Sequence, residues 1–190
     1  MSSAIYLGGT REIGDPRGMF YGASDFNNGF QPGVANDLTW STPNLEFLGS
    51  GRDRQVFDLP KGGVFTYASS MNCNLNSWDI SGVKAATQAL KGTTLYQNGG
   101  VPLNWTLSNC QNFEEMLLGS GYDDALPNLN TSAGVRFDSM FRGMDNYNQP
   151  VDFLDLRNAS TAALMFAYMD AFNQNVNTLA QGPGRFKDGV

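Results

Sequence analysis

Groups able to do covalent or acid–base work are sparse in this chain of 190 residues, and the missing ones matter first. There is no histidine, which removes every His-based triad, the imidazole metal sites and the commonest general base. No Gly-x-Ser-x-Gly occurs, and no Ser or Cys has a His to activate it. Two adjacent carboxylate pairs, Glu114-Glu115 and Asp123-Asp124, are the only arrangement with the makings of a glycosidase acid and base. Asp145-x-Tyr147-x-Gln149 lacks the dense oxygen ligands and the distal Glu of a calcium loop. Gly49-Ser50-Gly51 and Gly182-Pro183-Gly184 are turn sequences, without the Lys-Ser/Thr of a phosphate loop. Cys73 and Cys110 are too few for a four-cysteine zinc site; they are either one bridge or two inert buried thiols. The expectation is therefore no catalytic residues, no cofactor and no metal.

Composition narrows the partners. Lys plus Arg number 12 against 18 Asp plus Glu, a net charge of −6, and no basic run is present. Nucleic acid and anionic lipid both need a concentrated positive surface, so neither is expected as a partner. No stretch of 18 apolar residues occurs, so no membrane insertion is expected. Aromatics at 12 % and eight Met argue for a folded chain, and 22 Gly with abundant Asn put much of it in turns.

What positions these residues is a repeat. Met140-Phe141-Arg142-Gly143-Met144-Asp145-Asn146-Tyr147-Asn148-Gln149 returns 25 residues later as Met165-Phe166-Ala167-Tyr168-Met169-Asp170-Ala171-Phe172-Asn173-Gln174. Met19 to Asn28 has the same form. The aromatic or Met position falls at Phe26, Met71, Tyr96, Tyr122, Tyr147 and Phe172, at intervals of 45, 25, 26, 25 and 25. The long interval invites a further coil, with Leu45-Glu46-Phe47-Leu48-Gly49 as its degenerate Met-Phe.

Each unit has an apolar-rich stretch at helical spacing, such as Cys110 to Leu118 or Ser160 to Met169, with Gly92, Gly119 and Gly143 where several of them end. An aromatic-Asn corner follows, then an extended piece of period two: Asn76 to Ser81, Leu103 to Ser108 and Val151 to Leu156. One such unit cannot bury its apolar face alone, and stacked copies can. The expected architecture is an α/β solenoid: a leucine-rich-repeat-like stack of about six or seven coils, each a short strand plus a short helix or turn, with a parallel sheet along one face. Asn27, Asn72, Asn98, Asn148 and Asn173 should form an amide ladder, because an amide in a tight corner donates and accepts at once.

The expected organisation is an N-terminal cap or docking arm at 1–18, a repeat region at 19–179 with a degenerate loop-rich stretch at 29–62, and a tail at 180–190. Ends of a stack expose core, and an insertion at 29–62 would project as a loop face, so Ile5, Tyr6 and Phe186 near the ends and Trp40 in that stretch are the candidate interface residues.

The pattern Met-Phe-x-x-Ala/Met-x-x-Phe-Asn-Gln followed by Trp-Asp-Ile/Val-Ser resembles the BspA-type leucine-rich repeats. It is carried by Met19 to Asn28, Trp78-Asp79-Ile80-Ser81, Met140 to Gln149 and Met165 to Gln174. The resemblance implies a solenoid of the kind found in surface proteins of bacteria, mycoplasmas and some phages, used for adhesion or recognition. Against that family the repeats are eroded, and neither a leader nor a lipoprotein Cys is seen in this sequence. Such features suit assembly onto a structure inside the producing cell. The expected role is a non-enzymatic structural protein of a virion surface, assembled in the host cytoplasm: a phage capsid decoration (cement) protein or fibre component bound to coat subunits, with self-association open. The alternative is a cell-surface adhesin binding a host protein receptor or glycan.

Overall fold

The computed structural model describes residues 18–40, 42, 45–49 and 62–180. Ile5, Tyr6 and Phe186 lie outside them. Regular strand is short: β1, Asn36–Asp37, pairs in parallel with β2, Cys73–Asn74. A row of parallel bridges then runs Phe47, Ala85, Asn112, Arg136, Thr161, each to the next. Two 3₁₀ turns, at Asn98–Gly100 and Asn177–Ala180, complete the regular elements among the described residues.

The apolar stretches expected to be helical are turns. Ala86, Gln88, Leu90 and Gly92 donate their N–H groups to Asn112, Glu114, Met116 and Leu118 at 2.8–3.0 Å, not to carbonyls one turn back. Phe113, Glu115, Leu117 and Gly119 repeat this toward Arg136, Asp138, Met140 and Arg142. Phe137, Ser139, Phe141 and Gly143 repeat it again toward Thr161, Ala163, Met165 and Ala167. Intervening N–H groups close three-residue turns, as from Ala89 to Ala86 and Lys91 to Gln88. Every donor in this row sends its bond toward the C-terminal neighbour, so the row is polar from end to end.

Left-handed backbone sets this shape. Gln88, Glu115, Ser139 and Leu164 have φ of 55–57°, and Gly92, Gly119, Gly143 and Tyr168, four residues further on, have φ of 58–69°. Two left-handed residues per stretch are incompatible with continuous right-handed helix. The glycines read as stretch ends do occupy left-handed positions.

The extended pieces alternate in burial as their sequence suggests: Leu103, Trp105 and Leu107 are buried, and Asn104, Thr106 and Ser108 are exposed. Among the described residues they are not strands; side chains tie them to the preceding unit. The indole N–H of Trp105 donates to Leu75 O at 3.2 Å, and that of Trp78 to Leu38 O at 2.9 Å.

Phe20 and Gly22 donate directly to Val64 and Thr66, and Asn72 N donates to the Asn27 side chain. These bonds leave no space for a coil between Phe26 and Met71. Leu45 to Gly49 instead joins the bridge row beside Ala85, so the long interval is an insertion within one unit.

One apolar core runs through all the units, and its largest fully buried side chains include Trp105, Tyr96, Tyr122, Tyr147, Phe65, Phe113, Phe137 and Phe141. Rings from neighbouring units stack: Phe113 on Phe137 at 5.2 Å and 7°, and Phe141 on Phe166 at 5.9 Å and 3°. Offset contacts of this kind add about 0.5–1.5 kcal/mol each beyond their area.

Candidate functional site

The corner residues are where sequence expectation and structure can be compared one by one. Of the aromatic column, Met71, Tyr96, Tyr122 and Tyr147 are fully buried, while Phe26 and Phe172, in the first and last units, are half-buried against the same core. Tyr96 and Tyr122 lie 5.9 Å apart. The Tyr122 hydroxyl accepts from Leu103 N at 2.8 Å and donates to Ala125 O. Burial pushes the phenols of Tyr96, Tyr122 and Tyr147 well above their usual range, so none is a proton carrier near neutrality. The Tyr147 hydroxyl is buried without a hydrogen-bond partner.

Corner side chains bridge successive units in two runs, Asn27 to Asp123 and Asn148 to Asn173. Asn27 Oδ1 accepts from Asn72 N at 2.8 Å, Asn72 Oδ1 from Gln97 N at 2.7 Å, Gln97 Oε1 from Asp123 N at 3.3 Å, and Asn148 Oδ1 from Asn173 N at 2.8 Å. The rung in the third unit is therefore Gln97, and in the fourth Asp123. Asn98 stands one place further on, in the left-handed position (φ 48°) that Asn28 (φ 51°) holds in the first unit. It is still a corner residue: its Oδ1 accepts from Leu75 N at 2.8 Å and its Nδ2 donates to Val101 O at 3.0 Å. Gln97 follows Tyr96 as Asn72 follows Met71 and Asn148 follows Tyr147, so the rung keeps the period and Asn98 lies one place off it. Asn27 and Asn72 both donate and accept, as an amide inside a turn must when water is excluded.

Trp40 is half-buried, its ring 5.8 Å from Trp78 and 5.5 Å from Phe20, so it extends the aromatic packing of the first units. The carboxylate of Glu115 is taken up by Lys91 at 2.6 Å and Gln88 at 2.8 Å. Burial, the largest single influence, pulls the Lys91 ammonium down; the hydrogen bond and charge of Glu115, with Tyr67, outweigh it and hold its pKa above the usual 10.5. Asp124 receives Ala125 N at 2.7 Å. Cys73 and Cys110 are both free and buried, and desolvation pushes each thiol up to about 12, which makes neither a nucleophile.

A groove lined by Glu46, Gly82, Lys84, Asn109 and Gln111 crosses the bridge row and is spanned by the Lys84–Glu46 ion pair at 2.7 Å. No group of three or more His, Cys, Asp or Glu capable of holding a metal occurs among the described residues. No helix among them is long and apolar enough to cross a membrane.

The exposed large apolar side chains concentrate in the first and last units. Met19, Tyr21, Phe30 and Val34 belong to the first, and Leu164, Tyr168 and Val176 to the last. Tyr168 is the most open of them at 69 %, with the Arg142 guanidinium 5.0 Å over its ring. The contact candidates read from the sequence lie in the terminal segments (Ile5, Tyr6, Phe186) and the 29–62 stretch (Trp40), and Leu164 and Tyr168, inside a repeat unit, are not among them. The sequence carries little signal: the second left-handed position is glycine at Gly22, Gly92, Gly119 and Gly143 but Tyr at both Tyr67 and Tyr168.

The family described as "Mycoplasma protein of unknown function, DUF285" matches the chain twice, over residues 55–122 and 101–181, together more than half its length. No curated protein and no solved structure matches the chain.

Proposed function

Because this chain belongs to the DUF285 family, we propose that it is a BspA-type, leucine-rich-repeat-like solenoid whose work is contact with other proteins rather than catalysis. The observation that carries the reading is the hydrogen-bond register repeated across Ala86–Gly92, Phe113–Gly119 and Phe137–Gly143, each row bonded to the next unit in the same sense. Two overlapping matches to one family are what a repeating chain produces. A stack of about six coils, with strands roughly 4.8 Å apart, is a stiff rod on the order of 30 Å long.

On this reading the chain is a structural component of a virus particle, a capsid decoration or fibre protein seated on coat subunits. A stiff rod with net charge −6 and apolar side chains gathered at its ends suits docking by ends or faces onto a protein lattice. A second reading, a cell-surface adhesin of BspA type, is favoured by the Mycoplasma in the family's description. Purification of intact particles separates the two. The virion reading expects the chain at high copy, roughly stoichiometric with coat protein, through density-gradient banding. Recovery only as free chains that bind cells or glycans overturns it and leaves the adhesin.

A further inference from the structure

The polar row of hydrogen bonds stops at both ends of the described chain, and the two ends are complementary. In the last unit the N–H groups of Phe166 and Tyr168 stand where Phe141 and Gly143 stand one unit earlier. Those earlier groups donate to Met165 and Ala167 at 3.1 and 2.9 Å; Phe166 and Tyr168 find no acceptor among the described residues. In the first unit the carbonyls of Met19 and Tyr21 stand where Val64 and Thr66 stand in the second. Val64 and Thr66 accept from Phe20 and Gly22 at 2.9 and 2.8 Å, whereas Met19 and Tyr21 accept from nothing described. One end offers donors two residues apart, and the other offers acceptors two residues apart.

A bond of opposite sense fixes the register. Ala171 N donates back to Asp145 O at 3.0 Å, and Ser70 N to Ser24 O at 3.0 Å. The next rung of that series needs a carbonyl at Asp170 and an N–H at Asp25, and both are without a backbone partner among the described residues. Backbone shape matches too. Gly18 and Gly22 have φ of 68° and 67°, and Leu164 and Tyr168, at the same two places in the last unit, have 57° and 58°. Apolar side chains flank both edges: Met19 and Tyr21, each 38 % exposed, at one end, and Leu164 (57 %) and Tyr168 (69 %) at the other.

We propose that this chain associates with copies of itself head to tail, the 164–170 edge of one copy docking on the 19–25 edge of the next. Phe166 N–H then donates to Met19 O, Tyr168 N–H to Tyr21 O, and Asp25 N–H of the incoming copy to Asp170 O. The occupant is a second copy because no other chain is bound to present acceptors, a reversed donor and the left-handed points at the same spacings. A head-to-tail contact is heterologous, so it does not close on itself and gives open rows of increasing length. The inference holds whichever surface the molecule serves.

The test uses the full chain and two block variants: Leu164→Lys with Tyr168→Lys at one edge, and Tyr21→Lys at the other. These side chains are exposed, and circular dichroism and melting serve as the folding check. Sedimentation velocity over a hundredfold concentration range should show wild type growing into dimers and longer rows, and each variant alone weakened at least tenfold. Mixing the two variants should restore a one-to-one dimer and nothing larger, because only one productive pair of edges remains. Hydrogen exchange on wild type should slow at the Phe166 and Tyr168 amides as concentration rises. A wild-type chain that stays monomeric throughout overturns the proposal, including the case where those amides are protected at every concentration by the chain's own terminal segments. A closed two-fold dimer that either block variant still forms with itself also overturns it.

Discussion

Individual residues carry different loads at equivalent places in the repeat. Tyr122 and Tyr147 occupy the same column, yet one hydroxyl bridges Leu103 and Ala125 while the other is buried alone. Tyr122→Phe leaves a buried N–H unsatisfied and should cost about 1–2 kcal/mol, whereas Tyr147→Phe removes an unsatisfied group and should be neutral or stabilising by up to about 1 kcal/mol. Urea denaturation of the two variants checks the contrast, and equal losses would contradict it. Gly121 is required by proximity: a Cβ there would stand 2.1 Å from the Thr94 carbonyl oxygen. Gly121→Ala must push adjacent units apart and should lose about 1–3 kcal/mol by the same measurement. Periodicity revealed the aromatic column because burial demands one type of residue at one interval. The same interval places each rung directly after its column residue, so Gln97, which follows Tyr96, is marked by the period and Asn98 stands one place off it.

Among the elements, the turn stretches show where sequence reasoning reaches its limit. Cys110, Phe113, Met116 and Leu117 are all buried, and that spacing suits a helix face and a pair of consecutive turns equally well. The second left-handed position was visible as Gly92, Gly119 and Gly143; the first was hidden because Gln88, Glu115, Ser139 and Leu164 adopt φ near 56° without being glycine. A Cβ at Gly119 meets nothing within 4 Å. Gly119→Ala therefore isolates the conformational term and should cost about 1–2 kcal/mol. Ser139→Gly, with φ of 55°, should instead recover up to about 1 kcal/mol. Thermal melts of both variants moving in the same direction would contradict this account of the turns. Between units, the partly exposed Lys91–Glu115 pair contributes no more than about 1 kcal/mol. With the Lys91 pKa raised in the folded state, that contribution is complete below pH 10.5 and fades as pH rises through the higher folded value. A Lys91→Met variant should accordingly lose stability at pH 8 and approach wild type at strongly alkaline pH.

For the whole molecule, stability is a sum of units and their interfaces, since each stretch sends half its N–H groups to a neighbour about 25 residues away. That arrangement explains why period and core were evident from the sequence while the contact surfaces were not: a repeat advertises what is the same in every unit, and contacts depend on what differs at the ends. Leu164 stands where Gln88, Glu115 and Ser139 are polar, and Tyr168 shares its place with Tyr67 as well as with glycines, so neither is marked by the period. The measurement that bears most directly on the central claim is detection of scalar couplings across hydrogen bonds in labelled protein. The repeating ladder predicts couplings from the Gln88, Leu90 and Gly92 nitrogens to the Glu114, Met116 and Leu118 carbonyl carbons, and again from Glu115, Leu117 and Gly119 to Asp138, Met140 and Arg142. Couplings from those nitrogens to carbonyls four residues earlier, the signature of separate helices, would contradict it.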